Sequence, residues 1–282
     1  MNAPADASEK PKTRDLQDIL PRTLSAIVLI PLGLAVAWFG GPWLAAAAGA
    51  CALAMSYEWA RMSEPDALTG AFLFSLAGSL GAVMFASWGQ LDWGLGWLAL
   101  CAGVSAVRRR TIVRMLETAG GALYIGAPAA CFLWLRARDP GGFEIIILLF
   151  TTIWAADVGA YFAGRLIGGP KLIERLSPQK TWSGLVAGIA AGAGAGAANG
   201  HLFGAPSLGE WAAAGASLAL IGLVGDLIES LIKRRFGVKD ASRLIPGHGG
   251  VLDRLDGLMA ATLATSAFLV LCPSALASLL GR

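Results

Sequence analysis

The sequence predicts an all-α, polytopic integral membrane protein with about nine transmembrane helices. Of its 282 residues, 56% are hydrophobic and 15% are charged, and the mean hydropathy is +0.63, whereas soluble domains are about a quarter charged. A membrane-spanning helix needs roughly 20 mostly apolar residues. Stretches nearly free of charge lie at about 24–41, 42–58, 67–89, 93–107, 117–135, 143–164, 184–203, 208–229 and 257–280.

The distribution of positive charge predicts that the N-terminus is cytoplasmic and the C-terminus lies outside. With that orientation, all 22 lysines and arginines fall on cytoplasmic segments except Arg136, Arg138 and Arg282. Cytoplasmic loops of membrane proteins carry such an excess. The net charge of +3 is therefore expected to form a cytoplasmic collar that suits anionic lipids and anionic substrates, and not a nucleic-acid surface.

The chain divides into three regions by composition. Residues 1–22 are polar and mixed in charge, which predicts a flexible cytoplasmic tail. Residues 23–140 hold apolar spans joined by short loops, which predicts a scaffold of transmembrane helices. Within it, Glu58 stands three residues before Arg61 and is expected to form a local ion pair. Residues 141–282 contain three polar clusters on the predicted cytoplasmic side, which predicts a catalytic region.

The first polar cluster is the stretch WAADVGAYFAGR. Its Asp157 lies inside the sixth apolar stretch, where an ionised carboxylate is costly and is usually functional or paired. Arg165 follows about two helical turns later on the same face. The sequence leaves both interpretations open, a functional carboxylate or a structural contact between Asp157 and Arg165.

The second polar cluster is ERLSPQKTWSG, residues 174–184. Backbone N–H groups at the start of the next helix, together with a lysine, would suit a phosphate, although an ordinary helix cap and a surface lysine would explain the same residues. The candidate phosphate contacts are Ser177, Lys180 and Thr181.

A ridge of glycines follows in the seventh apolar stretch, with one glycine at every fourth residue. Such a ridge lets another helix approach closely. We expect this packing to lie within one subunit, with a subunit interface of a homodimer as the alternative. The ridge consists of Gly184, Gly188, Gly192, Gly196 and Gly200.

The third polar cluster begins on one face of the eighth apolar stretch, because Asp226, Ser230 and Lys233 are spaced i, i+4 and i+7 and Glu229 is i+3 from Asp226. It continues through a Pro-Gly-His-Gly-Gly turn. Carboxylates from separate segments can hold Mg²⁺, basic side chains neutralise phosphate charge, and glycines let the backbone approach a ligand. These residue types together favour phosphoryl or nucleotidyl transfer, in which positioning and charge neutralisation supply most of the catalysis.

The stretch SLIKRRFGVKDASRLIPGHGGVLDRLD, from Ser230 to Asp256, resembles the signature of the phosphatidate cytidylyltransferases, also called CDP-diacylglycerol synthases. The blocks DVGAYFAGR and SPQKTWSG resemble upstream parts of the same family. The resemblance covers about residues 120–280, and the first 120 residues match only in hydropathy. Two departures are Gln179, where the family often has a lysine, and Ser183, where it often has an acidic residue.

The resemblance implies a Mg²⁺-dependent enzyme of phospholipid biosynthesis that transfers CMP from CTP to phosphatidic acid, giving CDP-diacylglycerol and pyrophosphate. It implies a multi-pass protein of the cell inner membrane whose site faces the cytoplasm, and it leaves open whether a monovalent cation joins the Mg²⁺. By position, the catalytic residues would be Asp226, Lys233, His248 and Asp253, with Asp226 and Asp253 as metal ligands. The residues around the substrate phosphates would be Ser177, Lys180, Thr181, Ser230, Arg234, Lys239, Asp240, Gly249, Gly250, Arg254 and Asp256.

His248 is expected to position other groups in preference to acting as a general base. A phosphate-monoester nucleophile is already anionic near pH 7, so the transfer needs no base to activate it.

Several other functions fit less of the sequence. A secondary transporter would use Asp157, Asp226 and Glu229 as intramembrane ion sites, but the polar residues gather at one surface instead of the midplane. An isoprenoid-alcohol kinase or an archaeal ether-lipid cytidylyltransferase would differ in the acceptor. A CDP-alcohol phosphotransferase is excluded because DGLMAATL lacks the arginine of that family's pattern. A purely structural membrane protein does not explain charged groups gathered at a membrane boundary.

Overall fold

A series of apolar helices makes up most of the described chain, as the composition predicts. The computed structural model describes residues 27–63, 69–174, 176–242, 244 and 249–281. The helices are α1 Ile27–Phe39, α2 Gly41–Ser63, α3 Gly70–Ser87, α4 Leu91–Val107, α5 Ile112–Arg136, α6 Gly142–Leu166, α7 Trp182–Leu202, α8 Leu208–Arg235, α9 Leu252–Leu271 and α10 Ala275–Leu280. Between α6 and α7, strands β1 Lys171–Ile173 and β2 Ser177–Thr181 pair in an antiparallel hairpin.

Five of the described helices, α3, α5, α6, α8 and α9, are long and apolar enough to cross a membrane. This confirms an all-α, multi-pass architecture. Helices α1 and α4 are apolar but shorter. A count of about nine crossings and a cytoplasmic N-terminus stay predictions, and the predicted tail of residues 1–22 lies outside the described residues.

Hydroxyl side chains and a proline set several helix boundaries. Thr69, Thr111, Thr181 and Ser207 each accept a hydrogen bond from the backbone N–H three residues later and so cap α3, α5, α7 and α8. The last predicted span is shorter than expected, because α9 ends at Leu271. Pro273 follows, and the residue before a proline is disfavoured in helical geometry.

The glycine ridge of α7 packs within the chain, between α6 and α8. A Cβ added to Gly184 would lie 2.9 Å from the backbone oxygen of Ala160 in α6. A Cβ added to Gly192 would lie 2.6 Å from the Cβ of Ala219 in α8. The expected use of the ridge inside one subunit is therefore confirmed.

The polar ends of several helices meet at one end of the bundle, which we call the site end. There, Arg235 at the end of α8 donates to Glu117 at the start of α5 over 3.0 Å, and the backbone of Leu252 at the start of α9 donates to Glu58 near the end of α2. The opposite end is tied by Arg136 of α5, whose Nε donates to the backbone of α1. The described residues of the three predicted polar clusters lie at the site end.

Candidate active site

Glycines bring α8 and α9 into close contact beside two acidic residues. A Cβ added to Gly225 would lie 2.7 Å from the backbone oxygen of Asp256, and one added to Gly257 would lie 3.3 Å from that of Gly222. Gly225 directly precedes Asp226, and Gly257 directly follows Asp256. The close crossing therefore places the carboxylates of Asp226 and Asp256 next to each other.

Three carboxylates form a cluster at this crossing. Asp226, Glu229 and Asp256 each offer an oxygen, and these oxygens all lie within 4.8 Å of one another. Glu229 is only 1% exposed, and its Oε1 is buried and accepts no hydrogen bond from any residue that the structure describes. Mg²⁺ is a hard cation that takes oxygen ligands, so this donor set fits it.

Lys233 joins α8 to α9 beside the cluster. Its Nζ lies 2.6 Å from Glu229 Oε2, one helical turn away, and 2.8 Å from Asp253 Oδ1. The Asp253 carboxylate is also held by backbone N–H groups, with Oδ2 accepting from Gly250 over 2.8 Å and from Ala241 over 3.2 Å. Asp253 thus orients Lys233 and ties the segment before α9 to its first turn.

This arrangement differs from the metal pair that the family resemblance implies. Asp226 belongs to both sets, but the carboxylates whose oxygens converge with it are those of Glu229 and Asp256. Asp253 stands one turn before Asp256 on the same helix, and its oxygens bind Lys233 and two backbone N–H groups.

The β-hairpin supplies a second lysine. Lys180, near the end of β2, forms a short ion pair with Oδ2 of Asp226 and is largely shielded from solvent. Thr181 is buried, and its Oγ1 accepts from the N–H of Gly184 over 3.1 Å, which makes it the N-cap of α7. The predicted cap is therefore present, but Lys180 is a partner of the carboxylate cluster and not a surface lysine.

Asp157 of α6 also belongs to this neighbourhood. It interacts electrostatically with Asp226, Lys180 and Arg254. Arg165 instead donates to the hydroxyl of Tyr161 over 2.9 Å. Tyr161 lies one helical turn from Arg165, whereas Asp157 lies about two turns away. The described residues show no ion pair between Asp157 and Arg165, which argues against the structural contact, and a functional role for Asp157 stays a prediction.

The remaining candidates lie around this centre with different exposure. Ser177 and Ser230 are half-buried, whereas Arg234, Lys239, Asp240 and Arg254 are exposed. Gly249 has a positive φ of 82°, a backbone conformation that favours glycine. His248 lies outside the described residues.

Glu58 lies beside the site, and its observed partners differ from the one that the sequence predicts. It is 0% exposed, and its carboxylate accepts hydrogen bonds from Ser242, Val251 and Leu252. Arg61 is exposed, and the described residues show no ion pair between it and Glu58. The expected local pair was wrong because the actual partners are 184 to 194 residues away in sequence, where spacing along one helix carries no signal.

Comparisons with known proteins show similarity to relatives of one name along most of the chain. The chain is 39% identical over 250 residues to the phosphatidate cytidylyltransferase of Brucella suis, covering 87% of this chain and 91% of the relative. It is 36% identical over 251 residues to that of Pseudomonas aeruginosa, covering 85% and 93% of the two chains. For that of Haemophilus influenzae the identity is 32% over 276 residues, covering 85% and 94%.

A sequence model of one family extends over most of the chain. It is described as the cytidylyltransferase family, and it matches residues 20–272, which include every helix from α1 to α9 and all three polar clusters. The chain therefore belongs to the cytidylyltransferase family.

Proposed function

We propose that this member of the cytidylyltransferase family is a phosphatidate cytidylyltransferase. It transfers CMP from CTP to phosphatidic acid and releases pyrophosphate, giving CDP-diacylglycerol. The single observation that carries the proposal is the cluster of Asp226, Glu229 and Asp256, flanked by Lys180 and Lys233 at the site end of the bundle. The names of the three relatives support the same reaction.

The reaction brings negative charges together, and the residues present suit that problem. A phosphate oxygen of phosphatidic acid forms a bond to the α-phosphorus of CTP, and the bond from that phosphorus to the oxygen of the leaving pyrophosphate breaks. The acceptor phosphate is already anionic near pH 7, so no side chain has to remove a proton. Lys180 and Lys233 bind and orient the phosphates, and His248 stays a proposed positioning residue.

Asp226, Glu229 and Asp256 would hold Mg²⁺, which when bound would neutralise phosphate charge and favour departure of pyrophosphate. Asp253, the second ligand implied by the resemblance, would instead orient Lys233. This ligand set is supported by the convergence of the three oxygens and by the buried Oε1 of Glu229. A second, monovalent cation stays open within this proposal.

The site is proposed to face the cytoplasm from the inner membrane. CTP is a soluble nucleotide and phosphatidic acid resides in the bilayer, so the two must meet at the membrane boundary. The predicted excess of lysine and arginine on cytoplasmic segments and the gathering of Lys180, Asp226 and Asp253 at one end of the bundle support this location.

The test is an assay of the purified protein with CTP and phosphatidic acid, with and without Mg²⁺. We expect CDP-diacylglycerol and pyrophosphate in equal amounts, and no turnover after chelation of the metal. An isoprenoid alcohol offered in place of phosphatidic acid serves as the control acceptor and should give no product. Phosphate transfer to the alcohol, or no CMP transfer to phosphatidic acid, would overturn the proposal.

A further inference from the structure

Glu58 is a buried carboxylate that the scaffold contributes to the site end. Its Oε1 accepts from the backbone N–H of Val251 over 2.8 Å and from the hydroxyl of Ser242 over 2.5 Å. Its Oε2 accepts from the backbone N–H of Leu252 over 2.8 Å. Both oxygens are therefore engaged by residues from another part of the chain, although no cation among the described residues pairs with this carboxylate.

The two backbone donors belong to the start of α9, which lacks a capping side chain of its own. Val251 is the N-cap position of α9, and its side chain makes no capping hydrogen bond. The first N–H groups of a helix have no partner within the helix and attract negative charge. Glu58 takes the place of the missing cap from α2, and these N–H groups in turn stabilise its buried charge.

The same carboxylate also holds the chain on the other side of the glycine-rich turn. Ser242 precedes that turn and Val251 follows it, and both donate to Glu58 Oε1. Gly250 packs directly against this carboxylate, since an added Cβ would lie 2.8 Å from Oε1. Glu58 therefore holds the residues on both sides of the glycine-rich turn, and the glycine at 250 permits the close approach.

The helix turn that Glu58 caps carries residues of the proposed site. Asp253, which orients Lys233, follows Leu252 directly. Asp256, one turn further on, offers an oxygen to the cluster with Asp226. A shift of the first turn of α9 would therefore move two of the site's carboxylates relative to α8.

Neighbouring contacts keep the end of α2 in place. The indole N–H of Trp59 donates to the backbone oxygen of Glu117 in α5 over 3.1 Å. The Trp59 ring lies edge-on to Phe236, just after α8, with 5.6 Å between ring centroids. The end of α2, which carries Glu58, therefore contacts both α5 and the residue that follows α8.

We propose that Glu58 is a positioning residue of the transfer reaction, which caps α9 from α2 and so sets the place of Asp253 and Asp256 against α8. This inference rests on the proposed function. In this role Glu58 contacts neither substrate nor metal, so it affects turnover only through the position of the start of α9.

The test compares Glu58→Gln with Glu117→Gln in the full-length protein. The control makes the same chemical change at the site end, in a carboxylate that pairs with Arg235. The glutamine at 58 keeps the shape but removes the charge and turns an N–H donor group towards backbone donors. We expect kcat to fall by between about tenfold and a hundredfold in Glu58→Gln and to stay within about twofold of the parent in the control.

Hydrogen exchange of the peptide covering residues 239–257 is the readout that does not depend on activity. Exchange should be roughly tenfold faster in Glu58→Gln because the N–H groups of Val251 and Leu252 lose charged acceptors, and unchanged in Glu117→Gln. Glu58→Asp keeps the charge and should restore part of both properties. Equal exchange and equal kcat in the two glutamine variants would overturn the proposal, as would faster exchange with a normal kcat.

The two proposals fail in distinguishable ways. If the parent protein makes no CDP-diacylglycerol, the function is wrong, and the exchange comparison still measures whether Glu58 holds the start of α9. If Glu58→Gln fails to fold, kcat and hydrogen exchange are measured on Glu58→Asp instead. Parental exchange in Glu58→Asp together with a large loss of kcat would contradict the positioning role.

Discussion

Helices α1 to α5, the predicted scaffold, and helices α6 to α9, the predicted catalytic region, contain the same small and apolar residues but differ in where their charged residues lie. In the scaffold, Arg136 ties helix ends through backbone oxygens, and Glu117 forms a partly exposed pair with Arg235 of α8. In α6 to α9, Asp226, Glu229 and Lys233 lie together at one end of α8. Charged side chains join helices in both regions, but in the second region they are also concentrated in one cluster, where phosphates would bind.

Glu58 is an exception to this difference between the two regions. It belongs to the scaffold by position, yet its carboxylate binds the start of α9. A region that looks chemically silent in sequence can thus shape a reaction by holding another helix in register. In the proposed site, Lys180 and Lys233 would contact the substrates, whereas Glu58 would position other residues.

The largest difference between the two regions is expected when one carboxylate is changed in each. Asp226→Asn should lower kcat by about a thousandfold or more, because metal and phosphate charge stabilisation is worth several kcal/mol. Asp92→Asn changes an exposed carboxylate at the start of α4 and should leave kcat unchanged. Initial rates of pyrophosphate release measure both, and near-normal turnover in Asp226→Asn would remove it from the site.

A second pair of changes tests which carboxylate of α9 is a Mg²⁺ ligand. Asp256→Asn should raise the Mg²⁺ concentration needed for half-maximal activity by about tenfold or more, since one oxygen ligand becomes neutral. Asp253→Asn should instead lower kcat with a smaller change in Mg²⁺ requirement, because its oxygens hold Lys233 and backbone N–H groups. Magnesium titrations of both variants provide the measurement. The reverse order would favour the Asp226–Asp253 pair.

An intermediate effect is expected for the lysine that joins α8 and α9. Lys233→Ala removes a charge-assisted contact and should weaken substrate binding by about 1.5–3 kcal/mol, which is roughly 10- to 150-fold in KM. Lys171→Ala, an exposed lysine of β1, is the matched control and should bind substrates normally. Substrate titrations at saturating Mg²⁺ check the difference, and equal KM values in the two variants would contradict it.

The smallest effect concerns packing in α7. Gly192→Ala places a Cβ 2.6 Å from that of Ala219 and should destabilise the fold by about 1–3 kcal/mol through overpacking. Gly194 lies two residues away, where an added Cβ meets nothing within 4 Å, so Gly194→Ala should be neutral or slightly stabilising. Thermal unfolding in detergent distinguishes them, and a subunit interface at the ridge would give a change in oligomeric state instead.

Hydropathy was enough to locate the helices, because a membrane span needs a long apolar stretch whatever its neighbours are. Spacing along α8 was enough to group Asp226 with Lys233. Which carboxylate of α9 faces Asp226 could not be predicted, since Asp253 and Asp256 are one turn apart and the choice depends on how α8 and α9 cross at Gly225. The partners of Glu58 and the pair between Lys180 and Asp226 lie far apart in sequence, beyond any local pattern.

The cap that Glu58 provides joins residues that are synthesised at very different times. Glu58 leaves the ribosome 194 residues before Leu252, its partner at the start of α9. At about 5–20 residues per second, translation needs roughly 10–40 s to cover that interval. The Glu58 carboxylate therefore has none of these backbone donors while the intervening helices are synthesised. The proposed site can form only after α9 has been synthesised, because α9 carries Asp253 and Asp256.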